Sequence, residues 1–250
     1  MTKSTEQTLL ERRSIRRYER ESIKEEDLTF IREAIRNTPT SYNGQQFSVI
    51  EISDQDLKEE LEALVGQKQL KTSARVYIFL SDFHKISVAA QAKGLEMPPF
   101  NRTVDGFIVG TVDAALAMMS AIVAAESRGL GTCPIGYART VDPAAISELL
   151  GLPQDVYVVC ALAVGVPREI PELKPKQPRE LVIFENSYGT DDMAERLLDY
   201  DARIVEYHQH RSTNASDADW VSEMLGYYRE GMNYTMLESL RSRGYLLIDR

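Results

Sequence analysis

Cysteine and histidine are scarce in this chain, and their scarcity excludes several kinds of chemistry. The 250 residues include two cysteines, Cys133 and Cys160, and three histidines. His208 and His210 lie two positions apart, a spacing at which side chains diverge on a helix. With no cysteine cluster nearby, the sequence predicts no metal site. Both cysteines lie in apolar stretches, which favours free buried thiols and a reducing, cytoplasmic location.

Several common catalytic and nucleotide-binding motifs are also missing. The chain contains no Gly-x-x-x-x-Gly-Lys-Ser/Thr phosphate loop and no Gly-x-Ser-x-Gly nucleophile elbow. The glycines between Gly129 and Gly136 follow a predicted helix instead of opening one after a strand, so they do not form a dinucleotide fingerprint. We therefore predict no catalytic side chain, and an enzymatic interpretation requires a cofactor that carries the chemistry.

Basic residues are fewer than acidic residues over the chain as a whole. Lysine and arginine total 29 against 38 acidic residues, for a net charge of -9, which argues against general nucleic-acid binding. The polar N-terminus lacks the apolar core of a signal peptide. Residues 107–125 are almost entirely apolar, but Asp113 and Glu126 leave too short a stretch for a membrane span of about 20 residues. We predict a buried core helix and no membrane association.

Small residues recur along this predicted core helix. Gly110, Ala114, Ala117 and Ala121 follow one another at helical spacing, and such residues permit close approach of another backbone. Two interpretations remain open, namely ordinary packing within one chain and packing against a matching helix of a second copy. We also expect Gly129 and Gly131 to end the helix.

Hydrophobic periodicity predicts a chain of mixed α and β structure. The predicted helices cover residues 24–36, 54–64 and 141–150, and the predicted strands cover 47–52, 76–80 and 156–166. Residues 85–104 contain two consecutive prolines and are predicted to form a mobile flap. After Asn186 the composition changes to the polar helical stretches 191–210 and 217–241. We predict a core over residues 1–188 and a C-terminal helical extension over 189–250.

A dense basic spot stands out on this acidic chain. Five arginines fall between Arg12 and Arg20. Their planar donors suit a phosphate group, and the hydroxyl of Ser14 adds a neutral donor. A solvated helix face, or a basic run paired with nearby glutamates, explains the same pattern equally well.

Other segments suit a flat, anionic, heteroaromatic ligand. Hydroxyl and amide groups are able to bond the edge of a ring, a glycine-containing backbone is able to lie against its face, and lysines offer a second cationic spot. These groups are Ser41, Asn43, Gln45 and Gln67, the stretch 134–136, and Lys174 with Lys176. Each signal is weak when taken alone.

Taken together in order and spacing, these segments resemble the FMN-dependent nitroreductase family, in particular its nitro/flavin reductases with a long C-terminal extension. The resemblance covers nearly the whole chain. The segments that carry it are residues 12–18, 39–46, 66–69, 124–131, 135–136, 165–167, 173–176 and 185–188.

The resemblance implies an α+β fold with a central, mainly antiparallel sheet flanked by helices. It also implies an intertwined homodimer with two FMN sites at the subunit interface. The apolar central helix would then pack across the dimer, and the late helices would embrace the partner.

The resemblance further implies which residues hold FMN. The phosphate and pyrimidine edge would be bound by Arg12, Arg13, Ser14 and Arg16. The ring would be lined by Thr40, Ser41 and Asn43, and the ribityl chain and flavin edge by Gln67 and Gln69. Residues passing the flavin N5 atom would be Pro134, Ile135, Gly136 and Tyr137. Lys174 and Lys176 would approach the phosphate or the anionic edge.

The implied activity is a ping-pong transfer of electrons from NADPH, or from NADH, through FMN to nitroaromatics, quinones, azo compounds or free flavin. Arg211 lies where related chains are thought to bind the extra phosphate of NADPH, although Asp217 and Asp219 follow closely. Residues 85–104 and 205–235 are expected to set the choice of acceptor.

Three alternatives remain open at this point. The same fold supports other flavin-linked reactions, such as a dehydrogenase or a dehalogenase. A flavin-storing protein would bind FMN without appreciable turnover. A protein-docking or phosphorylation segment around Arg12-Arg13-Ser14 would be flexible and would need no flavin.

Overall fold

A computed structural model describes residues 3–248 of the chain. They form two compact units. The first contains the described residues up to Ile170 together with those from Thr235 onward, and the second is Pro171–Tyr234.

A four-stranded antiparallel sheet forms the centre of the first unit. Its strands are β1 (Phe47–Ile52), β2 (Arg75–Asp82), β3 (Gly131–Ile135) and β4 (Val156–Gly165), in the order β1-β2-β4-β3. Each neighbouring pair is antiparallel, which confirms the predicted sheet type. β4 is buried along its entire length, as expected for a central strand with both faces covered.

Helices cover both faces of this sheet. They are α1 (Thr5–Glu11), α2 (Glu25–Arg36), α3 (Gln55–Val65), α4 (Gln69–Thr72), α5 (His84–Ala92), α6 (Val104–Ser127), α7 (Pro143–Leu149) and α10 (Met236–Ser242). Alternate residues of β2 belong to different cores because side chains alternate across a strand. Ile78 packs in the cluster that contains Leu61 and Ile146, whereas Phe79 packs in the cluster that contains Ile31 and Ala117.

Helix starts predicted from the sequence are confirmed by their caps. Asp54 accepts a hydrogen bond from the Leu57 N–H at 2.8 Å, and Asp142 accepts one from the Ala145 N–H at 3.0 Å. Pro143 occupies the first turn of α7, where its missing N–H costs nothing. Local chemistry is therefore sufficient to set these two boundaries.

The face of the central helix α6 that carries the small residues packs against the sheet of the same chain. Ala114, Ala117 and Ala121 are fully buried, and a Cβ atom placed on Gly110 would collide with the Ser81 hydroxyl. The small residues therefore serve packing within the chain, and the alternative that they form the seam with a second copy is wrong. By length and composition α6 is able to cross a membrane. Its buried face of small residues is instead typical of a core helix.

The end of α6 differs in one detail from the prediction. The helix stops at Ser127, and Gly129 follows in the left-handed region with φ 79°. Gly131 instead begins β3, where a Cβ atom would lie 2.8 Å from the Ile15 side chain. Glycine is needed there because the N-terminal segment passes so close.

The predicted flap over residues 85–104 begins with α5, at whose start the Asp82 carboxylate accepts the Lys85 N–H at 3.3 Å. The mobility of this segment stays a prediction. One other expectation needs correction. The stretch 217–241 is not one helix. It forms α9 (Trp220–Gly231) and then α10, since Gly231 at the end of α9 and Asn233 after it are poor helix formers.

The second unit is built on α8 (Met193–His210) and α9. The rings of Tyr200 and Trp220 meet edge to face at 5.4 Å between centroids. The Asp201 carboxylate accepts the Val221 N–H at 2.9 Å, and the buried His208 ring lies 2.7 Å from the Ala218 carbonyl oxygen. These contacts join the two helices and the loop between them.

Candidate functional site

The arginine-rich N-terminal segment is anchored on both sides by backbone hydrogen bonds. Ile15 donates its N–H to the Thr132 carbonyl at 2.8 Å, on the edge strand β3. Glu19 donates to the Val166 carbonyl at 2.9 Å. The buried Tyr18 hydroxyl donates to the Ile15 carbonyl at 2.7 Å. The segment is therefore fixed, which argues against the interpretation of a flexible docking tail.

Glu169 fixes the middle of the same segment. Its carboxylate accepts the backbone N–H of Arg16 at 3.0 Å and lies 3.6 Å from Nε of Arg17. Within residues 3–248, the guanidinium of Arg16 itself forms no ion pair. Its charge thus remains free for a ligand.

A cleft of about 490 Å³ brings together residues that the sequence analysis took from separate segments. Arg16 lines it together with Gln67 and Gln69, and Arg168 contributes a further cation. The Gln69 amide donates to the Gln67 side-chain oxygen at 3.0 Å, so each amide orients the other. This grouping is one that the sequence analysis predicted.

Arg12 lies against a buried carboxylate that the sequence analysis did not single out. Nε of Arg12 is 3.8 Å from Oε1 of Glu126, at the end of α6, and that oxygen accepts the Thr132 hydroxyl at 2.5 Å. The Nε atom is buried, and 3.8 Å is too long for a hydrogen bond. Burial of Glu126, which is 6% exposed, raises the pKa of its carboxyl above the ordinary value.

The stretch predicted to pass the flavin N5 atom follows directly along β3. Pro134 and Ile135 end the strand, and Gly136 and Tyr137 begin a short 3-10 helix that runs to Arg139. Ile135 is buried in the core, so its side chain is not available to a ligand. A Cβ atom on Gly136 would lie 3.0 Å from the Arg139 guanidinium, so the absence of a side chain at Gly136 leaves room for that group.

The predicted ring-lining residues occupy a tight loop before β1. Thr40 accepts the Gln45 N–H on its hydroxyl at 3.2 Å, and a 3-10 turn spans Ser41–Asn43. The loop is tethered to Asp113 of α6, rather than to the arginine segment, by hydrogen bonds from the Ser41 and Gln46 N–H groups. Arg13 also lies in the arginine segment, where its Nε donates to the Glu11 carbonyl at 3.0 Å.

The remaining predicted residues belong to the second unit. Lys174 lies 3.9 Å from the Glu223 carboxylate, and Lys176 lines a surface cleft together with Tyr200. Nε of Arg211 donates to the Asn214 carbonyl at 2.7 Å, in the loop after α8.

The donor set suits an anionic, flat cofactor such as FMN. The guanidinium of Arg16 supplies charge, and the Gln67 and Gln69 amides supply neutral hydrogen bonds. The buried Nε of Arg12 has no acceptor among residues 3–248. No group of three His, Cys, Asp or Glu residues able to hold a metal occurs in the part of the chain that the structure describes. The buried Cys133 thiol has its pKa raised by desolvation, so a reactive thiolate is disfavoured.

Comparisons with known proteins agree with this fold. The model of the nitroreductase family matches residues 9–166, and the model of the nitroreductase family C-terminal domain matches residues 174–248. The FMN reductase [NAD(P)H] of Bacillus subtilis (strain 168) is 32% identical over 240 residues, which are 95% of this chain and 96% of that protein.

Solved structures of similar proteins cover almost the full length. The NfrA1 nitroreductase from B. subtilis superposes with a TM-score of 0.92 at 29% identity, covering 97% of this chain and 99% of that one. The NADPH:FMN oxidoreductase from Vibrio harveyi, solved with NAD+, gives a TM-score of 0.87 at 26% identity, covering 98% and 99%. The fold is that of an α+β protein with a cleft lined by arginines and glutamine amides. The chain belongs to the nitroreductase family.

We expect Glu126→Gln to stabilise the protein in a pH-dependent way. The folded-state pKa of Glu126 is raised, so ionisation costs more in the folded than in the unfolded chain once the pH exceeds 4.5. The wild-type free energy of unfolding therefore falls, relative to that of the variant, as the pH rises through the folded-state pKa. Urea unfolding at a series of pH values measures this difference, which should be largest near neutrality and smallest below pH 4.5.

Glu60→Gln, on the exposed side of α3, is the matched control and should show no such trend. An advantage of Glu126→Gln that does not vary with pH would contradict a desolvated carboxylate.

Proposed function

We propose that the protein is an NAD(P)H-dependent FMN oxidoreductase that reduces small, flat electron acceptors. The observation that carries the proposal is the cleft in which the unpaired Arg16 guanidinium lies beside the amides of Gln67 and Gln69. Full-length similarity to an FMN reductase and to an NADPH:FMN oxidoreductase supports it. The acceptors we propose are nitroaromatics, quinones, azo compounds and free flavin.

The cofactor would be held mainly through charge and hydrogen bonds. In the proposed site, Arg12, Arg13, Ser14 and Arg16 bind the phosphate and the pyrimidine edge, and Gln67 and Gln69 bind the neighbouring polar edge. The backbone of residues 134–137 passes the ring. Thr40, Ser41 and Asn43 line it from the loop before β1.

FMN, when bound, supplies hydride acceptance from the nicotinamide and electron donation to the acceptor. The protein's own residues then need only bind, orient and stabilise charge. The fixed positive charge of Arg16 lowers the free energy of negative charge that develops beside it in the cleft. This accounts for a site in which we assign no nucleophile and no catalytic base.

We propose NADPH as the preferred donor, with NADH as an alternative. Arg211 is the candidate for the extra phosphate of NADPH, and its side chain stays within its own loop through the bond to Asn214. Lys174 and Lys176 are the candidates for a second cationic contact with FMN. Residues 1–188 would form the cofactor-binding core, and 189–250 would serve the partner subunit and NADPH. The two buried free cysteines favour a cytoplasmic location.

A homodimer is the assembly that this chain supports best. The outward face of α6 carries an apolar stripe of Ile108, Val112, Leu116 and Met119, each at least 39% exposed. A contiguous apolar stripe of this kind on a folded chain marks an interaction surface. A second copy of the chain would cover it.

The layout of the proposed site also favours two copies. The loop before β1 is tethered at Asp113, and Arg12 is tethered at Glu126. At a rise of about 1.5 Å per residue, Asp113 and Glu126 lie ~20 Å apart along α6. We propose that the loop of one copy lies near the arginine cleft of the other, so that each site needs both chains.

The visible spectrum of the purified protein tests the central proposal. We expect a flavin absorption band, either as purified or after reconstitution with FMN, and rapid bleaching when NADPH is added without oxygen. The faster of NADPH and NADH identifies the preferred donor. A bound flavin that neither donor bleaches would indicate flavin storage, and no bound flavin at all would defeat the proposal.

Arg16→Ala should weaken FMN binding about 10- to 100-fold, because a charge-assisted hydrogen bond is lost in the cleft. Fluorescence titration of the flavin-free protein measures the dissociation constant. Arg36→Ala is the control, since Arg36 only pairs with Glu33 on the surface of α2. Equal flavin retention by the two variants would count against the assignment of Arg16.

Leu116→Glu should produce a monomer that retains little FMN, because charge on the apolar stripe opposes its burial. Sedimentation velocity and flavin content are the two measurements. Leu116→Met preserves volume and apolar character, and it should remain dimeric. A Leu116→Glu protein that dimerises normally would exclude this face as the interface.

A further inference from the structure

Asp113 is the one charge within the apolar body of α6 between Gly106 and Ala125. It is 0% exposed, which makes an ionised side chain costly unless its oxygens are satisfied. The packing face of a core helix has no need of a carboxylate. Its presence there therefore calls for a specific role.

Both carboxylate oxygens of Asp113 accept backbone N–H groups from one loop. Oδ1 accepts the Ser41 N–H at 3.0 Å, and Oδ2 accepts the Gln46 N–H at 3.3 Å. These two residues stand at opposite ends of the turn that carries Ser41 and Asn43. A single side chain thus clamps both ends of the loop to the helix.

The loop between the clamped ends has an unfavourable backbone. Tyr42, Asn43 and Gln45 have φ values of 56°, 53° and 53°, in the left-handed region that favours glycine. Such residues persist only where surrounding contacts impose the conformation. The turn is not held by packing of Tyr42, whose side chain is 91% exposed.

Bonds within the loop define its shape but not its orientation. Gly44 donates to the Ser41 carbonyl at 2.8 Å, and Asn43 donates to the Thr40 carbonyl at 3.2 Å. Both bonds begin and end inside the turn. A contact with the body of the protein is needed to fix the direction in which the hydroxyl and amide groups of the loop point. Asp113 makes that contact at both ends of the turn, and at Gln46 the Asp82 N–H also donates to the carbonyl oxygen at 3.1 Å.

We propose that Asp113 is a positioning residue for the cofactor site, holding the 41–46 loop in the strained conformation that lines the flavin ring. This inference rests on the proposed function, because the loop matters for FMN only if FMN binds. Asp113 does not touch the cofactor in this proposal. It acts through the backbone of Ser41 and Gln46.

Asp113→Asn tests the proposal with minimal change of shape. The amide has one acceptor oxygen where the carboxylate has two, so one backbone N–H of the loop faces another donor. We expect the FMN dissociation constant to rise about tenfold, as for loss of one buried hydrogen bond to a charged group. Flavin fluorescence titration measures it well below the unfolding temperature of the variant.

Hydrogen exchange of the flavin-free protein separates positioning from general destabilisation. In Asp113→Asn, peptides covering 41–46 should exchange at least about tenfold faster, while β1 and the rest of α6 keep their protection. Ser120→Ala is the matched control. It lies on the same helix and removes a 2.9 Å hydrogen bond to Thr38, just before the loop. It should change neither FMN affinity nor loop exchange.

The outcomes are distinguishable. Wild-type protein that binds no FMN would reject the proposed function itself. If the wild type binds FMN but Asp113→Asn matches it in affinity and in loop exchange, the role of Asp113 is overturned. Uniformly faster exchange across the first unit would also overturn it, since Asp113 would then serve only overall stability.

Discussion

Close packing of helix α6 on the central sheet is the constraint on which the rest of the first unit depends. The helix approaches the sheet through Gly110 and three buried alanines, and no larger side chain fits at Gly110. This contact fixes the rotation of α6 about its axis. It directs Asp113 and Glu126 into the interior and turns the stripe of Ile108, Val112, Leu116 and Met119 outward.

Besides packing on the sheet, α6 binds neighbouring segments through its two buried carboxylates. Asp113 satisfies two loop N–H groups, and Glu126 lies between the Thr132 hydroxyl and the Arg12 guanidinium. Buried charges are stable only when paired or hydrogen-bonded, so each fixes its partners in place. Through these two carboxylates, the rigid core helix positions both parts of the candidate site.

The N-terminal segment, which lines the cleft, is held in place by backbone hydrogen bonds to the sheet and to the residues after it. The edge strand β3 binds Ile15, and the segment after β4 binds Glu19. Between these anchors, Glu169 accepts the backbone N–H of Arg16, whose guanidinium forms no ion pair with any residue that the structure describes. An acidic protein can in this way present a strongly cationic spot, because neighbouring acids hold the backbone in place without neutralising every arginine.

The sequence by itself determined much of the fold and part of the site. The caps Asp54 and Asp142 and the apolar runs of β2 and β4 act locally, so their elements could be predicted from the residues alone. The dense arginines left an anion site and a solvated face equally open, and family membership confirms the resemblance on which the fold class was predicted. Only the tertiary structure decided the roles of Asp113, Glu126 and Glu169, because their partners lie 6 to 153 residues away. It also decided which face of α6 packs inward, since both faces are apolar and the pattern of hydrophobic residues does not distinguish them.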